Sequence, residues 1–529
     1  MEHVLIIGAG HNGLIAAFYL ARAGFKPLVL ERRPAVGGAA ITDEILPGHR
    51  CPTLAHSAGP LRPSIATDLQ LTGRVGVLRP EPRIAALSTD GHALVFSNDR
   101  GRTAEGLRAH SPQDAARYLE FCAVVERLGG FLLPLLEQTP PSLNGPAAGE
   151  VWELLKLGRR FRRLPRQDAY RLLRWLPMAV ADLVGEWFSS DLLQAVVAAP
   201  AIFGTAAGPW SAGTGAVLLL NAARDPQPGG STIVFKGGPG ALTGALADAA
   251  REAGATIRVD APVTQVLVRD GRCAGVLLAD GSEIPARAVV SNLDPRRTLL
   301  KLVDPIELDP GVLQRARNYR APGTVAKVNL VLGALPQFTG ISNPADLQGR
   351  IHIGPTVDYL EKAFDASKYG ELSPEPYLDI TIPSLLDPTL CPPDRHVMSI
   401  HVQFAPYTLM AGGDWDARRG HLAATVVGTL ERYAPGLSNI IEHSQVITPR
   451  DLEEIYGFTG GHILHGEPAL DQLFTMRPLL GYAQYRSPID GLFLCGAGTH
   501  PGGGISGMSG RNAAREVIGA MKQLRGPRT

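Results

Sequence analysis

Short apolar runs, not long stripes, dominate the chain. Val4-Leu5-Ile6-Ile7 is unbroken and predicts a strand buried on both faces. Leu14, Ala17, Phe18 and Ala21 then recur at helical spacing as far as Gly24, and Pro27 to Leu30 is a second strand-like run. Farther along, a helical segment from Gly237 to about Gly254 leads into the run Thr256 to Val259. Val266 and Val268 alternate before the Asp270-Gly271 turn, which predicts a hairpin, and Gly275 to Leu278 and Ala288 to Ser291 read as further strands. Leu492 to Cys495 is the last apolar run, followed by glycines and a C-terminal helix.

Strands that alternate with helices in this way predict an α/β fold around a parallel sheet. At 529 residues the chain exceeds one ordinary core, so two domains are expected. The runs group residues 1–75, 236–304 and 471–529 into one discontinuous nucleotide-binding domain. Residues 76–235 and 305–470 fall into an interleaved, equally discontinuous α+β substrate domain. Turn formers from Thr139 to Pro146 and from Asp225 to Gly230 mark the expected hinges.

Composition narrows the function classes. Apolar residues make up 45% of the chain and charged ones 19%, as in a globular protein, and 51 Lys and Arg against 50 Asp and Glu leave no field to recruit nucleic acid. Cys51, Cys122, Cys273, Cys391 and Cys495 form no C-x-x-C pair, so neither a redox dithiol nor a disulfide framework is expected. The first strand follows Met1 so closely that no signal or transit peptide fits before it, which predicts a cytoplasmic protein.

The chemistry lies in three glycine-rich blocks. In the first, Gly8-Ala9-Gly10-His11-Asn12-Gly13 joins strand to helix, and the second strand ends on Glu31-Arg32. Gly8 permits the tight turn, Gly10 admits a pyrophosphate to the backbone, and Gly13 lets helix and strand pack closely. The helix start supplies N–H donors for phosphates, and Glu31 can accept from ribose hydroxyls. The continuation Gly37-Gly38-Ala39 brings another loop to the ligand, which favours FAD over NADP. The second block, Gly237 to Leu242, opens a helix but carries no second strand–GxGxxG–helix unit, so no NAD(P) domain is expected and oxygen or a quinone is the expected electron acceptor. In the third, Gly496, Gly498 and Gly502-Gly503-Gly504-Ile505 precede the last helix, whose start can stabilise negative charge on a reduced flavin.

Together, GAGHNGL at 8–14, ERRPAVGGAA at 31–40, GGPGAL at 237–242, VVSNLDP at 289–295 and LCGAGTHPGGGISG at 494–507 resemble the phytoene desaturase-like flavoproteins, a branch of the GR2/amine-oxidase-like superfamily. SLLDPTLCPPDRHVMS at 384–399, PYTL at 406–409, LDQLFTMRP at 470–478 and HPGGG at 500–504 are similar to one subfamily, pyridine nucleotide-disulphide oxidoreductase domain-containing protein 2 and its bacterial relatives. The resemblance spans essentially the whole chain. It implies a Rossmann-like FAD-binding domain, with the Val263 backbone on the adenine side and Gly503, Gly504 and Ile505 beside the isoalloxazine. Similar elements in a carotenoid ketolase group point to a polyene substrate. The disulphide chemistry in the subfamily's name is not expected, because the C-x-x-C is missing. The animal members are mitochondrial, whereas this chain shows no presequence, as a bacterial or cytosolic member would.

Flavin chemistry needs no metal, and none is expected; protein groups need only orient substrate and move protons. His56, beside Ser57, and His500 are the candidates for that role, by their adjacency to the glycine blocks. His462 and His465 alternate with apolar residues and read as one polar strand face. No charge occurs between Asp191 and Arg224, where Pro200, Gly204, Pro209 and Gly213 argue against a membrane span; the segment reads as a tunnel wall or as ordinary core. Between 150 and 190, Lys156, Arg159, Arg160, Arg162, Arg163, Arg166, Arg171 and Arg174 interleave with Trp152, Leu155, Phe161, Leu173 and Trp175. That region suits a peripheral contact with an anionic membrane or a subunit contact, so an oligomer stays open.

The expected activity is dehydrogenation, oxidation or isomerisation of an apolar, polyene or lipid-like substrate by hydride transfer to FAD. The alternatives are a flavin amine oxidase, with Tyr482 and Tyr485 as its aromatic cage, and an FAD-binding regulatory protein with little turnover.

Overall fold

The structure, a computed structural model, describes residues 3–524 apart from 58, 60, 143–145 and 147. Leu143, Asn144 and Gly145 of the first expected hinge therefore lie outside the described residues. Five strands form one parallel sheet in the spatial order Leu492–Leu494, Ala288–Ser291, His3–Ile7, Lys26–Leu30 and Thr256–Arg258. Burial on both faces accounts for their unbroken apolar runs. Val4 and Ile6 pack against the helices His11–Arg22, Gly238–Glu252 and Met508–Leu524. Leu5, Ile7 and Val289 meet the opposite layer, a small antiparallel sheet of Val263–Arg269, Arg272–Leu278 and Glu283–Pro285. The first helix starts directly at the ends of the strands, which is the Rossmann-like arrangement.

The second sheet has seven strands, in the order Ile441–Ile447, Val325–Leu332, His396–Gln403, Tyr377–Thr381, Arg350–Ile353, Ile84–Leu87 and Ala93–Phe96. Its neighbours are antiparallel except for Ile84–Leu87 with Arg350–Ile353. Side-chain alternation splits this sheet into two unlike faces. Ala326, Val328, Leu330, Leu378, Ile380, Met398, Ile400 and Val402 form an apolar core with Leu422, Val426 and Leu430 of the helix Trp415–Tyr433. Among the alternate positions Lys327, Asn329, Asp379, Thr381, Ser399 and His401 are also buried and are polar, while Val331 and Val397 pack with Cys51 and Leu390. A helical layer containing Pro112–Glu137, Val180–Trp187, Asp191–Ile202 and Thr214–Arg224 packs around its own core beside them.

Two stretches singled out in the sequence take definite local form, and one of them differs from its expected strand. The uncharged Asp191–Arg224 stretch is two helices joined by a turn, and among the described residues no helix is long and apolar enough to cross a membrane. His462 to His465 is not a strand. His465 sits at φ 58°, and the His462 ring turns back so that Nδ1 accepts the Leu464 and Gly466 N–H groups at 3.2 and 3.3 Å. All five cysteines are unpaired, and burial pushes the Cys51 thiol up to about 12 and those of Cys122 and Cys273 to about 11, so none is poised as a thiolate.

Candidate active site

A cleft of about 550 Å³ starts at the carboxyl ends of the parallel strands, where Ile7, Gly8, Leu30 and Glu31 line it. It continues to the polar face of the seven-stranded sheet, at Arg350, Asp379 and His401. In open α/β sheets such a crevice at the strand ends is where ligands sit.

The first end is made largely of backbone. Gly8, Gly10, His11, Asn12, Glu31, Arg32, Gly38, Ala39, Val263, Gly503, Gly504 and Ile505 all line it. A Cβ on Gly10 would lie 2.8 Å from Asn292 Nδ2, and one on Gly38 would lie 3.2 Å from the Gly10 Cα, so two loops meet here with no room for side chains. The buried Glu31 carboxylate accepts the Ala9 N–H at 2.7 Å and the Arg33 N–H at 3.0 Å, which fixes it at the strand end. Arg32 is anchored to the Ile455 carbonyl.

Gly13, Gly37, Gly496 and Gly498 do not line the cleft. Gly13 packs the first helix on the turn, since a Cβ there would stand 2.3 Å from the Gly8 carbonyl oxygen. Gly37 pairs with the first turn, donating to the Ala9 carbonyl at 3.0 Å. Gly496 and Gly498 abut the Asn292 carbonyl and the Pro295 ring, so they seat the third block on the loop after Ala288–Ser291.

The second end is built from side chains. Ala199, Pro200, Phe203, Val217 and Leu220 of the uncharged stretch form an apolar wall. Opposite stand His56, Ser57, Arg350, Tyr377, Asp379 and His401. Arg350 Nε donates to Asp379 Oδ1 at 2.8 Å, a buried ion pair. His56 Nε2 lies 2.8 Å from the Asp379 carbonyl, and its Nδ1 lies 3.2 Å from Lys327 Nζ, which also donates to Ser399 Oγ at 2.6 Å. The His401 ring lies tilted against that of His56 with centroids 3.7 Å apart, and its Nε2 lies 2.7 Å from the Leu54 carbonyl. Burial, with cationic neighbours, pulls both imidazoles well below their ordinary value and the Lys327 amine down to about 7.

His500 is not at the cleft. Its Nε2 lies 2.8 Å from the Leu135 carbonyl, and its own carbonyl accepts the Tyr485 hydroxyl at 2.7 Å and Ser509 Oγ at 3.1 Å. Burial pulls the imidazole down to about 3, and its contact with Leu135 ties the third block to the long helix Pro112–Glu137. Tyr482 and Tyr485 form no cage either: Tyr485 is turned into that same knot, and Tyr482 lies beneath the Arg315 guanidinium. Neither lines the cleft. The sequence reading passed over His401, Asp379, Arg350 and Lys327. Their only signal was polar residues at alternate positions within otherwise apolar strands.

The family described as flavin containing amine oxidoreductase matches residues 13–518. The chain belongs to that family. It is 35% identical over 552 residues to pyridine nucleotide-disulfide oxidoreductase domain-containing protein 2 of Rattus norvegicus, covering 98% of this chain and 94% of the relative. It is 26% identical to the neurosporene-forming phytoene desaturase of Rhodobacter capsulatus, covering 96% and 92%. Among solved structures, cyclohexylamine oxidase from Brevibacterium oxydans superposes with a TM-score of 0.58 at 15% identity, covering 98% and 99%, a likeness of fold. The cofactor is therefore FAD, and the protein is a flavin-containing oxidoreductase. The residues fit that cofactor. Besides the tight Gly10–Gly38 approach, His11 Nε2 and Arg33 Nη1 are buried at the cleft without a hydrogen-bond partner, as groups that await a polar ligand would be.

Proposed function

We propose that this oxidoreductase dehydrogenates, oxidises or isomerises an apolar, polyene or lipid-like substrate. One observation carries the reading: a single cleft joins the dinucleotide elements to the apolar wall of Ala199, Pro200, Phe203, Val217 and Leu220. FAD, when bound, supplies a hydride acceptor. Gly8, Gly10, His11 and Asn12 with the start of the first helix would hold its pyrophosphate. Glu31 would take the ribose, while Arg32, Gly38, Ala39 and the Val263 backbone would close around the adenosine half. Gly503, Gly504 and Ile505 would border the flavin, and Gly13, Gly37, Gly496 and Gly498 would support these loops from behind.

The relative named for phytoene desaturation supports an apolar substrate. Arg224 and Arg477 line the cleft and make no ion pair among the described residues, which disfavours an ammonium beside them and ranks the amine reading lower. Without a second nucleotide-binding unit in the sequence, oxygen or a quinone is the acceptor we propose. The helix Ala148–Arg163 buries none of its residues, and Trp152 and Leu155 are each 60% exposed. Arg159, Arg160, Arg162 and Arg163 on the same helix make no ion pair among the described residues. This face suits a peripheral contact with an anionic membrane.

The deciding experiment is anaerobic mixing of the flavin-loaded protein with a panel of polyenes, lipids, amines and NADPH. Bleaching of the flavin by a polyene or lipid is the expected result. Bleaching by amines alone would install the amine reading, and no bleaching by any member would favour a regulatory protein. Flotation with phosphatidylserine vesicles tests the membrane contact, and indifference to anionic lipid sinks it.

A further inference from the structure

Val217, Leu220, Asn221 and Arg224 are spaced three and four apart on the helix Thr214–Arg224, and all four line the cleft, so one face of this helix looks into it. The apolar wall therefore ends on a cation. Arg224 keeps accessible surface, and its guanidinium is held by other cleft-lining residues: Nη2 donates to the Pro501 carbonyl at 2.7 Å and Nη1 to Asn221 Oδ1 at 3.4 Å. Each Nη carries two protons, so each keeps one to give. Arg477 also lines the cleft, with its N–H groups taken up by the carbonyls of Thr499, Glu467, Gln472, Gly466 and Ala497. It adds charge but no free donor.

No carboxylate answers these two charges among the described residues. Glu467 turns its carboxylate to Arg320 at 2.8 Å, and the Asp225 carboxylate accepts the Gln227 N–H at 3.0 Å. The space in front of both guanidinium groups is open. A carbon at the Cβ position of Gly502 would lie 3.5 Å from Arg224 Nη2 and 3.5 Å from Arg477 Nε, with nothing nearer beyond the glycine's own chain neighbours. Gly502 lines the cleft too, so this unfilled space belongs to it. Burial, and then Arg477, pull the Arg224 guanidinium down to about 10, which leaves it charged at neutral pH.

We infer that Arg224 is a specificity-determining residue that anchors a carboxylate, and that the substrate is an apolar acid whose chain lies along Val217 and Leu220. An arginine fork meets a carboxylate through two parallel hydrogen bonds. Two neighbouring cations withdrawn from water without an anion are unfavourable, and a carboxylate beside them relieves that cost where a pure hydrocarbon would not. The inference rests on the apolar-substrate reading and names the polar end of that substrate.

Three probes of similar body separate the two ideas: dodecanoate, methyl dodecanoate and dodecane, titrated into the FAD-loaded protein and followed by the flavin spectrum and by calorimetry. Dodecanoate is expected to bind on the order of tenfold more tightly than its methyl ester, which keeps both oxygens but not the charge. In Arg224→Met that preference should vanish while the ester and the alkane bind as before and the flavin reduction potential holds. Arg224→Lys, which keeps the charge and a donor for Pro501 but not the fork, should recover part of the preference. If the wild type binds acid and ester equally, the anchor is overturned and the apolar reading stands. If Arg224→Met still prefers the acid, the assignment to Arg224 is overturned, and a shifted flavin potential in that same variant would give the arginine to the cofactor instead. If none of the three probes binds a protein that retains its flavin, the apolar reading fails and takes this inference with it.

Discussion

The two ends of the cleft are made of different material. At the nucleotide end the ligand-facing surface is main chain. Glycines keep it bare, and a Cβ at Gly10 or Gly38 would run into neighbouring atoms. At the substrate end the surface is side chains, carried at every second position of strands whose other positions form an apolar core. A backbone surface is ruined by added atoms and is nearly indifferent to lost charge. A buried polar surface tolerates small changes in shape but not the loss of a partner.

The largest test adds atoms at the first end. Gly13→Val would drive a side chain toward the Gly8 carbonyl oxygen, which already stands 2.3 Å from an ideal Cβ. The expected outcome is little soluble protein and no bound flavin, read from expression yield and the absorption spectrum. A normally folded, yellow variant would break the comparison. Next comes a lost partner at the second end. Asp379→Asn removes the carboxylate from Arg350 in a pair whose side chains are only 8% and 15% exposed. The expected cost is about 3–5 kcal/mol in chemical unfolding, with flavin content unchanged.

A third test uses proton linkage. The folded Lys327 amine titrates near 7, well below its ordinary 10.5, because burial disfavours the charged form. Between those values the unfolded chain holds a proton that the folded chain has released, so folding gains stability as pH rises through this window. The gain is at most about 1.4 kcal/mol per pH unit. Lys327→Met should lose that slope, as urea midpoints measured from pH 7 to 10 would show; parallel curves for the two proteins would contradict it. The smallest effect is expected from Glu31→Gln. The amide oxygen can still accept the Ala9 N–H and only the Arg33 N–H loses its acceptor, so the fold should hold, while FAD dissociates about tenfold more readily for want of the charge.

This difference in material also decides what could be read in advance. The nucleotide end was legible because a bare backbone demands glycine at fixed spacing beside an acid, and Gly8, Gly10, Gly38 and Glu31 leave that pattern in one dimension. The parallel sheet followed from runs such as Val4 to Ile7, since burial on both faces forbids alternation. The substrate end hid for the opposite reason. Lys327, Asp379 and His401 lie far apart in the chain and become neighbours only through strand order and register, with His401 opposite Lys327 on one side and Asp379 on the other. A polar residue at one strand position looks the same whether it faces solvent or a buried partner. Adjacency to a glycine block singled out both His56, which lines the cleft, and His500, which does not, its side chain being turned to the helix Pro112–Glu137.

The parallel sheet begins with residue 3 and takes its edge strand from residues 492–494, with a cleft-lining loop only eight residues later at Gly502. The first turn of the cleft at Gly8 and the loop at Gly502 are thus separated by most of the described chain. Contacts so distant in sequence are slow to form. The cleft is whole only when both segments are in place, and the apolar edge of Ala288–Ser291 stays open until Leu492–Leu494 pairs with it.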